Sequence, residues 1–189
     1  MGIPIYLLLF PLLYLSAVQS LSDTSPTTLS VTDFGATGDG RHYDTAAIQS
    51  AIDACPTFTG GGGCCRVYFP PGIYLTATIR LKSGVVLEVR EGATILGGAR
   101  IVDYPREQSR WYVVLAENAT DVGITGGGAV DGQGLAFVER FDERKNVMVS
   151  WNGTGACSGD ECRPRLVGFV GCRNVRVWNV RLTKPAYWW

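Results

Sequence analysis

From Arg66 to Gly98 the chain is a series of short runs rich in apolar and β-branched residues, punctuated by Gly and Pro. Val67–Phe69, Ile73–Leu75, Thr78–Leu81, Val85–Val89 and Thr94–Leu96 each read as a short strand. Ahead of them the pattern changes. Ile48, Ala51, Ile52 and Cys55 recur at helical spacing, so a short amphipathic helix is predicted from Thr45 to Ala54, with Asp44 as its N-cap. Val31–Phe34 reads as a further short strand, and Gly35, Gly38 and Gly40 supply turns before the helix. Residues 21–30 are polar, contain Pro26 and are expected to be a flexible lead-in.

The strand pattern recurs. SGVVLEV (Ser83–Val89), ATDVGIT (Ala119–Thr125) and CRNVRVW (Cys172–Trp178) each place apolar residues two apart: Val85/Leu87, Val122/Ile124 and Val175/Val177. A turn and another short strand follow each one, at Ala93–Leu96, Gly128–Val130 and Asn179–Leu182. The separations, 37 residues from Val85 to Val122 and 53 from Val122 to Val175, fit stacked coils with insertions. A single coil cannot bury its apolar face, so this pattern predicts an all-β, right-handed parallel β-helix. The helix at Thr45–Ala54 would close one end of its core. A β-sandwich is the competing architecture, and short, Gly-punctuated strands with recurrent spacing argue against it. Val175–Val180 reads as an interior rung, so residues 31–189 are expected to be the N-terminal portion of a longer β-helix.

Composition narrows the classes. Lys plus Arg and Asp plus Glu are both 17, so no basic excess points to nucleic acid. The first 20 residues, MGIPIYLLLFPLLYLSAVQS, are apolar and end on small residues, the pattern of a secretory signal peptide. No other membrane span is expected. Six cysteines, Cys55, Cys64, Cys65, Cys157, Cys162 and Cys172, suit disulfides in an oxidising compartment. Cys55 is expected to join Cys64 or Cys65 across the Gly60–Gly63 loop, and Cys157 to join Cys162. A zinc site is a poor rival, because no C-x-x-C pair exists and His42 is the one histidine. Asn118-Ala-Thr and Asn152-Gly-Thr are candidate glycosylation sites.

Five stretches resemble one family. VTDFGATGDGRHYDTAAIQSAIDAC, GGCCRVYFPPGIYLT, LKSGVVLEVREGATILG, GGGAVDGQG and RPRLVGFVGCRNVRVWNVRLTKPAYWW, in that order, resemble the N-terminal half of the plant-type polygalacturonase-like pectin hydrolases, glycoside hydrolase family 28. The resemblance implies a parallel β-helix that hydrolyses galacturonan α-linkages with inversion. It further implies a pectic polysaccharide partner, no cofactor, a secreted cell-wall location and a monomer when full length. The family's Asn-Thr-Asp, Asp-Asp, Gly-His-Gly and Arg-Ile-Lys motifs do not occur in this chain. The resemblance places them downstream of Trp189, so no catalytic residue is assigned here, and the chain alone is expected to be inactive. Where many members carry aromatic residues after the Gly-Gln-Gly turn, this chain has Leu135-Ala-Phe-Val.

The remaining polar residues read as structural. Asp33, Asp39, Asp44 and Asp131 sit in Gly-rich turns, where Asp bonds its own local backbone. His42 is expected to be exposed in the turn before Asp44. Arg140, Arg144 and Lys145 lie in a charge-balanced stretch that suits a solvated face. Arg163, Arg165 and Arg173 are expected to bond loop carbonyls. Trp151, Trp178, Trp188 and Trp189 are candidates for sugar stacking or for coil packing. Two rival functions stand beside the hydrolase. One is a non-catalytic wall-polysaccharide-binding module; the other, ranked third, is a pectate lyase, whose Ca²⁺ would need clustered carboxylates that this sequence does not supply.

Overall fold

Alternation in successive strands becomes stacking when the strands pair parallel and in register. The computed structural model describes residues 27–57, 64–143, 147–150 and 163–187. In chain order the elements are β1 (Thr27–Ser30), β2 (Asp39–Tyr43), α1 (Thr45–Ala54), β3 (Cys65–Phe69), β4 (Gly72–Thr76) and β5 (Ile79–Leu81). Then follow β6 (Val85–Val89), β7 (Ala93–Gly97), β8 (Tyr112–Glu117), β9 (Thr120–Thr125) and β10 (Ala129–Asp131). The last are β11 (Val138–Asp142), β12 (Val147–Ser150), β13 (Arg165–Val170), β14 (Arg173–Val177) and β15 (Arg181–Thr183).

Three parallel sheets result. The first runs β1-β3-β6-β9-β14, the second β2-β4-β7-β10-β15 and the third β5-β8-β13. Each coil gives one strand to each sheet in turn, the geometry of a right-handed parallel β-helix. β11 and β12 form an antiparallel hairpin inserted between β10 and β13. The repeated segments align as the sequence implies. Leu29 pairs with Val67, Val67 with Leu87, Leu87 with Ile124 and Ile124 with Val177, forming one inward row across five strands. Tyr74, Ile95, Val130 and Leu182 make the matching row in the second sheet.

Helix α1 closes one end. Ile48, Ala51 and Ile52 are buried in the core. The helix also satisfies the open edge of the third sheet, which would otherwise leave strand donors and acceptors unpaired. Gln49 accepts the Arg80 N–H at 2.9 Å and donates to the Arg80 carbonyl at 3.1 Å, and Thr45 Oγ1 accepts the Ala77 N–H at 2.8 Å.

Four local readings of the sequence are corrected. Val31–Phe34 is a 3-10 helix, not a strand. The pairing partner of β3 is already supplied by β1, and Gly35, in the left-handed region at φ 94°, donates back to Thr32 and closes the turn. The lead-in over residues 21–30 is a strand in its last four residues, because Thr27–Ser30 finds the edge of β3. Asp44 stands at the helix start but does not cap it through its side chain. Its buried carboxylate instead accepts the Thr37 N–H at 2.7 Å, the Thr37 hydroxyl at 3.1 Å and the Gly38 N–H at 3.1 Å. Those donors belong to the preceding turn, so Asp44 ties the turn to the helix. His42 lies within β2 rather than a turn, although it is exposed as expected.

Cys55 joins Cys65, and among the described residues Cys64 and Cys172 are free thiols. Residues 1–20, the Gly60–Gly63 loop, Asn152, Cys157, Cys162, Trp151, Trp188 and Trp189 lie outside the described residues, as do the side chains of Arg140, Arg144 and Lys145.

Candidate functional site

Where the second sheet ends, two coils meet and leave an open groove of about 290 Å³ lined by Leu96, Asp131, Gln133, Leu135, Ala136 and Lys184. Asp131 ends β10 in the row Tyr43–Leu75–Leu96–Asp131–Thr183. One carboxylate oxygen accepts the Gln133 N–H at 2.9 Å, the local turn bond expected of it. The other accepts from Lys184 Nζ at 2.8 Å, a partner on the next coil that sequence order does not reveal. Asp131 is nearly buried, whereas the Lys184 side chain is 63% exposed, so its ammonium keeps donors facing water.

The glycines of Asp131-Gly-Gln-Gly have a steric cause. A Cβ on Gly134 would stand 2.4 Å from the Pro185 carbonyl oxygen, and one on Gly132 would stand 2.9 Å from that of Lys184. The next coil comes that close because the Gly132 and Gly134 N–H groups donate to Thr183 and Lys184 at 3.1 and 2.9 Å. Gln133 takes the left-handed conformation at φ 50°, and its amide donates to the Gly97 carbonyl at 2.6 Å. Three coils are thus tied together beneath the groove. Leu135-Ala-Phe-Val then divides. Leu135 is exposed along the groove wall, while Phe137 is buried edge-on against Tyr104. Burial pushes the Tyr104 hydroxyl up, keeping it a neutral donor to the Gly98 carbonyl at 2.8 Å.

The groove can hold an anion beside Lys184 and an apolar sugar face against Leu135. Its lining contains one carboxylate, Asp131, so the two-carboxylate arrangement of an inverting glycosidase is not formed by these residues.

The other singled-out residues fall elsewhere. Asp33 is exposed on the 3-10 helix. Asp39 accepts the Arg41 and His42 N–H groups and the His42 ring, which holds its carboxyl well below the usual range and raises the His42 imidazole. Arg163 and Arg165 turn to aromatic rings: both guanidiniums lie over Tyr187, at 5.5 and 5.1 Å, and Arg165 also lies over Tyr112. Arg173 is exposed at the start of β14. Asn118 is exposed in the turn between β8 and β9, at φ 51°. Among the described residues no helix is long and apolar enough to cross a membrane.

Comparison with known proteins follows the same lines. The sequence profile of the family described as rhamnogalacturonase A/epimerase, pectate lyase-like, matches residues 28–88. An exo-poly-α-D-galacturonosidase of Dickeya chrysanthemi is 34% identical across 70% of this chain and 24% of its own length. The plasmin and fibronectin-binding protein A of Streptococcus pneumoniae is 54% identical across 85% of this chain and 24% of its own. The chain therefore spans about a quarter of the length of these relatives. The family 28 exopolygalacturonase of Yersinia enterocolitica shares the fold, with a TM-score of 0.64 at 24% identity over 86% of this chain and 36% of that one.

Proposed function

We propose, for a chain similar in sequence and fold to part of the polygalacturonase-like pectin hydrolases of family 28, that it forms the first coils of a secreted hydrolase of galacturonan α-linkages in pectin. The observation that carries this reading is the likeness to the Dickeya galacturonosidase across 70% of the chain. The groove beside Asp131 supports it chemically: Lys184 offers a charge-assisted hydrogen bond to a uronate carboxylate, and Leu135 offers an apolar wall. Inversion requires an acid and a base about 6.5–9.5 Å apart, and this pair is assigned to coils following Trp189. The signal peptide over residues 1–20, the glycans on Asn118 and Asn152, the monomeric state and the cell-wall location belong to the same proposal.

The test is reducing-end release from de-esterified polygalacturonate by the complete gene product, beside the 189-residue chain. The complete product releases reducing ends and the shorter chain does not. Equal activity of the two would sink the assignment of catalysis to later coils. A second reading, a β-helix that binds wall polysaccharide without cleaving it, draws on the likeness to the pneumococcal plasmin and fibronectin-binding protein. Retention on a polygalacturonate column with no cleavage by the complete product would favour it.

A further inference from the structure

The outer face of the first sheet is uneven for a reason. Its central outward row is Arg66, Val86, Gly123 and Arg176, on β3, β6, β9 and β14. Two long cations therefore stand at the ends, with a valine and a glycine between them. The same face carries a hollow of about 270 Å³, lined among others by Cys64, Arg66, Val86, Asn174, Arg176 and Trp178. Gly123 is required there, because a Cβ would stand 2.3 Å from the Arg176 carbonyl oxygen. The ring of Trp178 leans into the same space, 3.5 Å from where that Cβ would be, yet 45% of the residue is exposed.

The charges are uneven too. Glu88 binds Arg66 at 3.2 Å and Arg90 at 2.6 Å. Asp121, also on the lining, is bonded to the Asn174 amide. Arg176 has no hydrogen-bond or ion-pair partner for its guanidinium among the described residues, so the lining carries two guanidiniums against one carboxylate. A solvated guanidinium beside an exposed indole ring is a pairing that recognises a carboxylate carried on an apolar-faced ring. Three strand-to-strand steps separate Arg66 from Arg176, roughly 14 Å, the reach of a short oligosaccharide.

We propose that this face is a binding site for a uronate-containing oligosaccharide, with Arg176 and Arg66 taking carboxylates and Trp178 stacking on a sugar ring. The site involves no bond cleavage. Its recognition chemistry matches the substrate class of the proposed hydrolase, but it does not depend on hydrolysis.

Cys64 provides the readout. Its free thiol lines the hollow, half-buried, so an occupant shields it from alkylation. The complete gene product is alkylated with iodoacetamide, with and without a thio-linked galacturonate trimer that resists hydrolysis. The Cys64 peptide is then quantified by mass spectrometry, with the Cys172 peptide as the internal reference. The trimer is expected to slow Cys64 alkylation selectively, and the methyl-esterified trimer is expected not to. Protection should weaken as salt rises. Arg176→Gln and Trp178→Ala, both on the outer face of the sheet, should each raise the trimer concentration needed for half-protection by about tenfold. Equal protection by the acid and ester forms, no protection by either, or protection unchanged in both variants would overturn the site. Lost protection with polygalacturonate hydrolysis intact rejects this site alone. Protection without hydrolysis rejects the hydrolase reading alone.

Discussion

Replacing one isoleucine by alanine at two places in the second sheet separates inward from outward positions. Ile95, on β7, is fully buried in the row Tyr74–Ile95–Val130–Leu182. Ile73, on the adjacent strand β4, points outward and is 46% exposed. Ile95→Ala removes three buried carbons, about 2.4 kcal/mol at ~0.8 kcal/mol per CH₂. A cavity between coils that cannot collapse freely adds to this, giving a total of about 3–5 kcal/mol. Ile73→Ala forfeits about half the transfer contribution and leaves no closed cavity, so it costs roughly 1 kcal/mol. The assay is equilibrium urea unfolding of both variants, with unchanged m-values showing that midpoint shifts report stability. Losses within about 0.5 kcal/mol of each other would refute the inward–outward assignment, and with it the register of the second sheet.

Four further outcomes follow from the same structure. Asp44→Ala leaves three turn donors without their acceptor and should cost about 1–3 kcal/mol in urea unfolding, with Asp44→Asn milder because it keeps one carbonyl oxygen. Gly134→Ala drives a Cβ into the Pro185 carbonyl and should cost at least about 1–3 kcal/mol, read as a lowered Tm. Cys55→Ser with Cys65→Ser opens a loop of sequence separation 10 and should cost roughly 3 kcal/mol in urea unfolding. His42, the one histidine, should titrate above the ordinary ~6.5 in an NMR pH series and fall back towards that value in Asp39→Asn. For stability, the raised His42 contributes at pH below its unfolded value, and the contribution is lost as pH rises through the folded one. The depressed Asp39 contributes above the ordinary carboxylate range and loses its contribution as pH falls through its folded value, so the turn is held best at mildly acidic pH.

The first two sheets were legible because their strands follow simple rules. Val85/Leu87 and Val122/Ile124 alternate between turn residues, and that alternation survives as the inward ladder. Of the third sheet, the pattern shows only Thr78–Leu81, which is β5, and not the other two strands. β8 (Tyr112–Glu117) is an almost continuous apolar run with four consecutive buried residues, so it lacks the period of two. β13 (Arg165–Val170) follows a long insertion that hides its place in the repeat. β2 was concealed by Gly38 and Gly40, whose turn signals outweigh a strand that pairs with β4 only at Asp39 and Tyr43. At the groove, Asp131 and its turn could be read locally, but Lys184 lies 53 residues away and reaches Asp131 only through stacking. Val31–Phe34 reads as a strand only because it is a short run ended by Gly35; its residues do not alternate, and the edge of β3 is taken by Thr27–Ser30.

That these coils begin an inverting galacturonan hydrolase is our proposal. Its most direct test is a proton NMR time course of oligogalacturonide cleavage by the complete gene product, following the anomeric configuration of the newly released end. The account predicts a β-anomer first, formed from the α-linkage with inversion and equilibrating later. An α-anomer first, an unsaturated product as from a lyase, or an intact oligomer would each contradict it.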